Sequence, residues 1–401
     1  MNRTYKAAKI SDRVYWVGAV DWGIRDFHGY ATGRGTTYNA YLIMADKITL
    51  VDAVKAPFRE ELLSRIASVV DPASIDYVIS NHAEMDHSGC LSEVLKAVRP
   101  EKVCASVMGV KTLGMHFQLD QEITPVKDGE ILSLGNRQVT FTETKMLHWP
   151  DSMFSYLSGD DVLFSQDAFG MHLASSERFA DEIDDDVLEY EGARYFANIL
   201  LPYAPRIEKL LEKVGTLGIS PKVIAPDHGP IWRDDLAVPI ETYSRWAAQK
   251  PTRKVVVVYD TMWQSTEKMA RAVAEGVQAG GGSPVVMPLK SSHRSDVVGE
   301  LLEAGALVVG SPTLNNNMFP TVADILTYLR GLKPANLVGA TFGSYGWSGE
   351  ATAQIKKVLE SMGVDLVDDV LKVRYVPDGD NLERCHALGE AVAGRLVRDK
   401  E

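Results

Sequence analysis

Cysteine is scarce. Cys90, Cys104 and Cys385 are the only three in 401 residues. An odd number without C-x-x-C spacing excludes a disulfide framework, and it excludes an iron–thiolate or zinc–thiolate knuckle on this chain. Reduced thiols in a cytoplasmic protein, each a small buried hydrophobe, are the expectation. Long hydrophobic runs are missing as well. No apolar stretch reaches the roughly 18 residues of a membrane span. The opening Met1-Asn2-Arg3-Thr4-Tyr5-Lys6 lacks the apolar segment of a signal peptide. Positive charge is in deficit, with a net charge of −12, which argues against a nucleic-acid partner held through its phosphates. There is no internal repeat and no low-complexity segment. The remaining composition, 45% hydrophobic and 24% charged, is that of an ordinary soluble globular protein. Its length suits two domains better than one.

The pattern changes near residue 250. Before it, short strands alternate with helices. Val14 to Val17 is a short strand, and Tyr38 to Met44 with Ile48 to Asp52 reads as a hairpin around Ala45-Asp46-Lys47. Phe58 to Val70 has helical spacing through Leu62, Ile66 and Val69. Tyr77 to Ser80, Val139 to Thr142 and Val162 to Ser165 are apolar strands that run into polar residues. Gln249-Lys250-Pro251-Thr252-Arg253-Lys254 is a polar, proline-containing linker. Beyond it, strands Val255 to Tyr259, Ala306 to Val309 and Leu337 to Phe342 alternate with helices Glu267 to Gly276 and Ala323 to Leu332. That alternation predicts a parallel sheet covered on both faces. The expected domains are 1–250 and 251–401, the second doubly wound.

The sharpest local signal is Asn81-His82-Ala83-Glu84-Met85-Asp86-His87. Four ligand-type residues follow a strand directly, and alternation along an extended loop would turn His82, Glu84 and Asp86 to one side. Singly, a histidine or aspartate at a strand end is usually a cap or a solvated loop residue. Four in one short loop point to metal. Three later segments place His148, Asp167 and His228 just beyond other strands, and strand ends of one sheet can converge on one pocket.

In the second half, Thr261, Met262, Trp263, Gln264, Ser265 and Thr266 lead from a strand into a helix. A helix start rich in hydroxyls suits a phosphate, through free N–H groups and partial positive charge; the plainer reading is a Ser/Thr cap. Two more loops follow strands: Gly310-Ser311-Pro312-Thr313-Leu314-Asn315-Asn316-Asn317 and Gly343-Ser344-Tyr345-Gly346-Trp347-Ser348-Gly349. Glycines let backbone approach a flat ring on which Tyr345 or Trp347 can stack. The absence of G-x-G-x-x-G argues against a dinucleotide site.

The His-x-x-x-Asp-His loop, with distant His148, Asp167 and His228, resembles the metallo-β-lactamase fold, an αββα sandwich with a two-metal site. Hydrolases of that fold usually carry histidine where Glu84 stands. The form His-x-Glu-x-Asp-His is similar to the flavodiiron proteins, and a carboxylate in place of imidazole favours iron over zinc. The three loops of the second half resemble the FMN loops of flavodoxins, with Trp263 and Gln264 standing where smaller residues are frequent. The resemblance is nearest to the rubredoxin:oxygen oxidoreductase branch. It implies a metallo-β-lactamase-like domain followed by a flavodoxin-like domain. It implies one iron on His82, Glu84 and His148, a second on Asp86 and His228, and Asp167 between them. His87 either ligates or stands behind the ligands. His28 and Tyr195 match segments near the family's metal pocket, although a core or surface role fits each equally well, and Trp149 would shield it. FMN would lie against the three loops. The implied activity is reduction of dioxygen to water, of nitric oxide to nitrous oxide, or both. The electron donor would be rubredoxin or a similar small protein, and the assembly a head-to-tail homodimer. Two other readings stay open: a zinc hydrolase fused to a flavodoxin domain, and a non-catalytic electron carrier with a vestigial metal site.

Overall fold

The structure, a computed structural model, describes residues 4–216, 219–367 and 370–398. Two compact units divide the chain, Met1–Tyr195 with Pro205–Ser244, and Phe196–Ala204 with Arg245–Glu401. Among the described residues no helix is long and apolar enough to cross a membrane.

The first unit is built on two sheets. The larger runs in the order Ala8–Lys9, Val14–Trp16, Tyr41–Ile43, Thr49–Val51, Tyr77–Ser80, Lys102–Ser106, Ile123–Val126. The smaller runs Ile131–Ser133, Gln138–Glu143, Met153–Ser158, Val162–Gln166, Val223–Pro226. Side chains alternate across each strand, so every strand serves two layers. Tyr41, Ile43, Val51 and Ile79 meet Val139, Phe141, Phe164 and Val223 between the sheets. Leu42, Leu50, Val78 and Val103 face the other way, onto Leu62, Ile66, Val94 and Leu113 of a helical layer. The expected hairpin pairs Tyr41–Ile43 with Thr49–Val51. Tyr38 leaves it for a strand, Thr36–Tyr38, that pairs with Ala19–Asp21. The helix expected over 58–70 forms over Arg59–Ala67.

The second unit has a wholly parallel central sheet in the order Ser283–Pro288, Lys254–Tyr259, Ala306–Gly310, Val338–Tyr345, Asp365–Leu366, with Leu371–Arg374 also against Val338–Tyr345. Val255, Val257 and Val308 pack with Met269, Val273, Cys385 and Val392 of helices Ser265–Ala279 and Gly379–Arg398. The alternate residues Val256, Val258, Leu307 and Val309 are equally buried, so both faces are covered. The strand order reverses beside Lys254–Tyr259, and open α/β sheets take ligands at the carboxyl ends of strands where that happens.

Candidate metal centre and cofactor cavity

Strand Tyr77–Ser80 delivers the first loop. Asn81 anchors it, donating from its backbone N and Nδ2 to Asp52 at 2.7 and 2.9 Å. The extended alternation expected over 82–86 ends at Glu84. His87 and Ser88 each donate a backbone N–H to the Glu84 carbonyl, and Met85–Ser88 closes into one helical turn. That turn changes the direction of Asp86 and His87, so the loop serves two groups of side chains instead of one.

The first group is His82, Glu84, His148 and Asp167; the second is Asp86, His87 and His228. In the first, His82 Nε2 lies 3.3 Å and His148 Nε2 3.1 Å from Glu84 Oε2. The same two nitrogens lie 3.3 and 3.1 Å from Asp167 Oδ2. In the second, His87 Nε2 lies 3.3 Å from Asp86 Oδ1, and His228 Nε2 lies 3.2 Å from Asp86 Oδ2. The other oxygen of Asp167, Oδ1, faces this group, 3.2 Å from His87 Nε2 and 3.6 Å from His228 Nε2. One carboxylate thus presents one oxygen to each group.

The donor set fits metal. Asp86 Oδ1, His87 Nε2 and both Asp167 oxygens are buried without a hydrogen-bond partner among the described residues. They are close but not aligned to bond to one another, and buried polar atoms left so are costly. Ligand atoms about 3 Å apart are the edges of a shell with bonds of roughly 2.1 Å. The charges demand a cation too. Burial raises the Glu84 carboxyl, but His148 and His82 outweigh it and hold it at about 2. Burial lowers the imidazoles, but Asp86 and Asp167 lift His87 to about 10, and Asp167 and Glu84 lift His148 to about 9. Protons on these histidines stand where metal charge would.

The cavity of the second unit is of another kind. It holds about 770 Å³ between the ends of the strands, lined by Met262, Trp263 and Ser265, by Pro312 to Asn316, by Ser344 to Ser348, and by Tyr375 and Val376. Among the described residues, no charged side chain lines it. Trp263 and Trp347 are 89% and 85% exposed, large apolar surfaces that a flat ligand would cover. The Thr261 hydroxyl is buried without a hydrogen-bond partner among the described residues, beside the helix that starts at Ser265. An orphaned donor, a helix start and aromatic walls fit a phosphate joined to a planar ring.

The comparisons with known proteins match both halves in this order. Residues 36–229 match the ODP family beta lactamase model and residues 257–389 the flavodoxin model. The rubredoxin-oxygen oxidoreductase of Megalodesulfovibrio gigas is 47% identical over 98% of each chain. The nitric oxide reductase of Moorella thermoacetica is 45% identical, covering 97% of this chain and 98% of that one. The flavodiiron protein from Giardia intestinalis superposes with a TM-score of 0.94 at 35% identity, covering 98% of this chain and 97% of that one. The chain belongs to the flavodiiron proteins.

In this flavodiiron chain the remaining expected residues fall in several places. The exposed His28, in left-handed backbone at φ 55, brings Nε2 to 3.8 Å from Glu84 Oε1. Tyr195 is buried, and burial together with the charge of Asp167 holds its phenol well above the usual range. Trp149 stands edge-on to His82 with ring centres 5.3 Å apart. Thr261, Gln264, Thr266, Ser311 and Gly349 are not in the cavity lining. Thr266 shares a hydrogen bond of 2.9 Å with the Ser344 hydroxyl. Ser311 accepts the Phe319 N–H at the start of helix Pro320–Leu332, a local brace. Gln264 takes φ 65 just before helix Ser265–Ala279. Tyr375 and Val376 were not anticipated; they follow Leu371–Arg374, a short strand with no glycine signature.

Residues behind the ligands were also missed. Asp151 Oδ2 lies 3.1 Å from His82 Nδ1 and accepts the Ala83 N–H. Asp227 Oδ2 is 3.6 Å from His87 Nδ1. His228 Nδ1 donates to the Thr37 carbonyl at 2.6 Å, and Gly229, at φ +74, makes the turn there; a Cβ would meet the Met171 carbonyl at 2.7 Å. A metal-bound histidine gives its second N–H to a carboxylate or carbonyl, the one rule that pointed to such partners.

Proposed function

We propose that the chain reduces dioxygen to water, nitric oxide to nitrous oxide, or both, at two irons held in the first unit, with electrons passed through FMN in the second. The observation that carries the reading is Asp167, one oxygen toward each ligand group. His82, Glu84 and His148 would hold one iron, Asp86, His87 and His228 the other, and Asp167 both. His87 counts as a ligand because its Nε2 meets two carboxylate oxygens, Asp86 Oδ1 and Asp167 Oδ1, that no hydrogen bond satisfies among the described residues. When bound, the iron pair supplies a binding place and electrons for a diatomic gas, and FMN relays electrons singly.

The chain's own part is to bind, orient and shield. Asp151 fixes the His82 ring and raises the basicity of its free nitrogen. Trp149 covers one side of His82 and His148. Tyr195 keeps its phenolic proton beside Asp167 and so remains a hydrogen-bond donor. His28 stands next to Glu84 in solvent. Beside the cavity, Thr261 and the start of helix Ser265–Ala279 would receive the phosphate, and within it Tyr345, Trp347 and Tyr375 the ring.

The relatives at 47% and 45% identity are named for oxygen and for nitric oxide. Likeness alone does not separate the gases, so both are proposed. Rubredoxin or a similar small redox protein is the proposed donor, and the working form a head-to-tail homodimer, or a dimer of such dimers, in the cytoplasm. The zinc-hydrolase alternative is not favoured, since relatives named for reduction match over nearly the whole length. The test is gas consumption by protein loaded with iron and FMN and fed by reduced rubredoxin. Turnover of either gas that disappears in Asp167→Ala supports the reading; turnover unchanged by that substitution sinks it.

A further inference from the structure

The ligand histidines are backed differently. His82 leans on a carboxylate, Asp151, at 3.1 Å. Among the described residues, His228 leans through Nδ1 on neutral groups alone. Its Nδ1 lies 2.6 Å from the Thr37 carbonyl and 3.3 Å from the Thr36 hydroxyl. A carbonyl only accepts, so Nδ1 carries a proton, and Nε2 faces Asp86 and Asp167, where a metal would take its lone pair. The Thr36 hydroxyl is itself held at 2.8 Å by Nδ1 of His172.

His172 was not among the expected site residues. It is 1% exposed, and its Nε2 has no hydrogen-bond partner among the described residues. Its ring packs 4.6 Å from His228 and 5.0 Å from Tyr195, centre to centre. The segment is closely fitted: a Cβ on Gly170 would meet the carbonyls of His228 at 2.9 Å and Asp167 at 3.2 Å. Burying an imidazole with one nitrogen unsatisfied is costly. A leucine would fill the space without that cost, so the retained bond to Thr36 calls for a purpose.

We propose that His172, acting through the Thr36 hydroxyl, is a positioning residue for His228 and sets how firmly the Asp86–His87–His228 group holds its metal. The inference rests on the two-iron reading above. An imidazole backed by a carboxylate is the more basic ligand, so His82, with Asp151 behind it, and His87, with Asp227 Oδ2 3.6 Å from its Nδ1, bind through charge as well as geometry. His228 lacks that help and depends on its ring being held in place. His172 therefore governs how fast the Asp86–His87–His228 half loses its metal.

The experiment is release of iron to a colorimetric chelator from the full chain, compared with His172→Leu, His172→Asn and Thr36→Val. Asparagine keeps a polar group near the position of Nδ1. For His172→Leu and Thr36→Val the expected result is one iron released roughly 10–100-fold faster, the other at the wild-type rate, and His172→Asn close to wild type. Wild-type release of both irons from His172→Leu overturns the proposal. So does equal acceleration of both, which marks general loosening. So does His172→Asn behaving as leucine while Thr36→Val behaves as wild type. If the wild-type chain takes up no iron, the function proposed above fails. The same curves recorded after loading with zinc(II) then decide the role of His172 separately.

Discussion

The metal centre and the cofactor cavity solve opposite problems. The first gathers three carboxylates and four imidazoles, most of them buried, around Asp167. The second gathers hydroxyls, amides and aromatic rings with no charge in its lining. A small hard cation offsets the desolvation of many charges. A large planar cofactor brings its own apolar area and needs only a few donors for one phosphate. Substitutions should therefore act steeply and jointly in the first site and by small separate steps in the second.

The largest effect is expected at the shared ligand. Asp167→Ala should cost at least ~100-fold in turnover and lower iron content in both halves, since residues merely behind a ligand already cost 10–100-fold. Iron assay with gas-consumption rates checks it; loss of a single iron would show that the halves are independent. Next, Asp151→Asn removes the charge behind His82 and should weaken iron in that half roughly 10–100-fold, read by chelator competition, with FMN affinity unchanged. Beside the cavity, Thr261→Val should weaken FMN roughly 10–100-fold, the range for a lost hydrogen bond to a charged group. Riboflavin, which lacks the phosphate, should be nearly unaffected in a fluorescence titration.

Removing metal sharpens the contrast through pH. The folded values of His87 and His148, about 10 and about 9, lie above the ordinary value near 6.5. Their protonation stabilises the metal-free fold fully below about 6.5, and that contribution is lost as pH rises through 9 to 10. Thermal melts of the metal-free protein should fall across that window, while the iron-loaded protein holds level. A parallel fall in both forms would contradict the charge account. The smallest effect belongs to Ser311→Ala. It removes the hydroxyl that accepts the Phe319 N–H and should cost about 1 kcal/mol of stability in denaturant melts, without moving FMN affinity.

The same contrast explains what was legible in the sequence. His82, Glu84, Asp86 and His87 stand together in the chain, and Asp167 and His228 come within two residues of strands Val162–Gln166 and Val223–Pro226, with His148 in the turn beyond Gln138–Glu143, so spacing and strand pattern pointed to them. Their backing was hidden because it is remote. Asp151 is 69 positions from His82, and Thr36 is 192 from His228. The helical turn at Met85–Ser88 was hidden because it depends on hydrogen bonds to the Glu84 carbonyl in a segment too short to show periodicity. In the second unit, alternating apolar strands and helices revealed the sheet. Tyr375 was missed because it reaches the cavity from the strand at the sheet's other end, in left-handed backbone at φ 58. Thr266 and Ser311 read as ligand contacts because they are hydroxyls in the right loops, and only packing shows that each is bonded to protein.

The most direct test of the central claim is electron paramagnetic resonance of the iron-loaded protein reduced by half. Two irons sharing Asp167 should give the signal of a magnetically coupled, mixed-valence pair, and Asp167→Ala should abolish it. A signal from isolated irons in the wild-type chain would contradict the account.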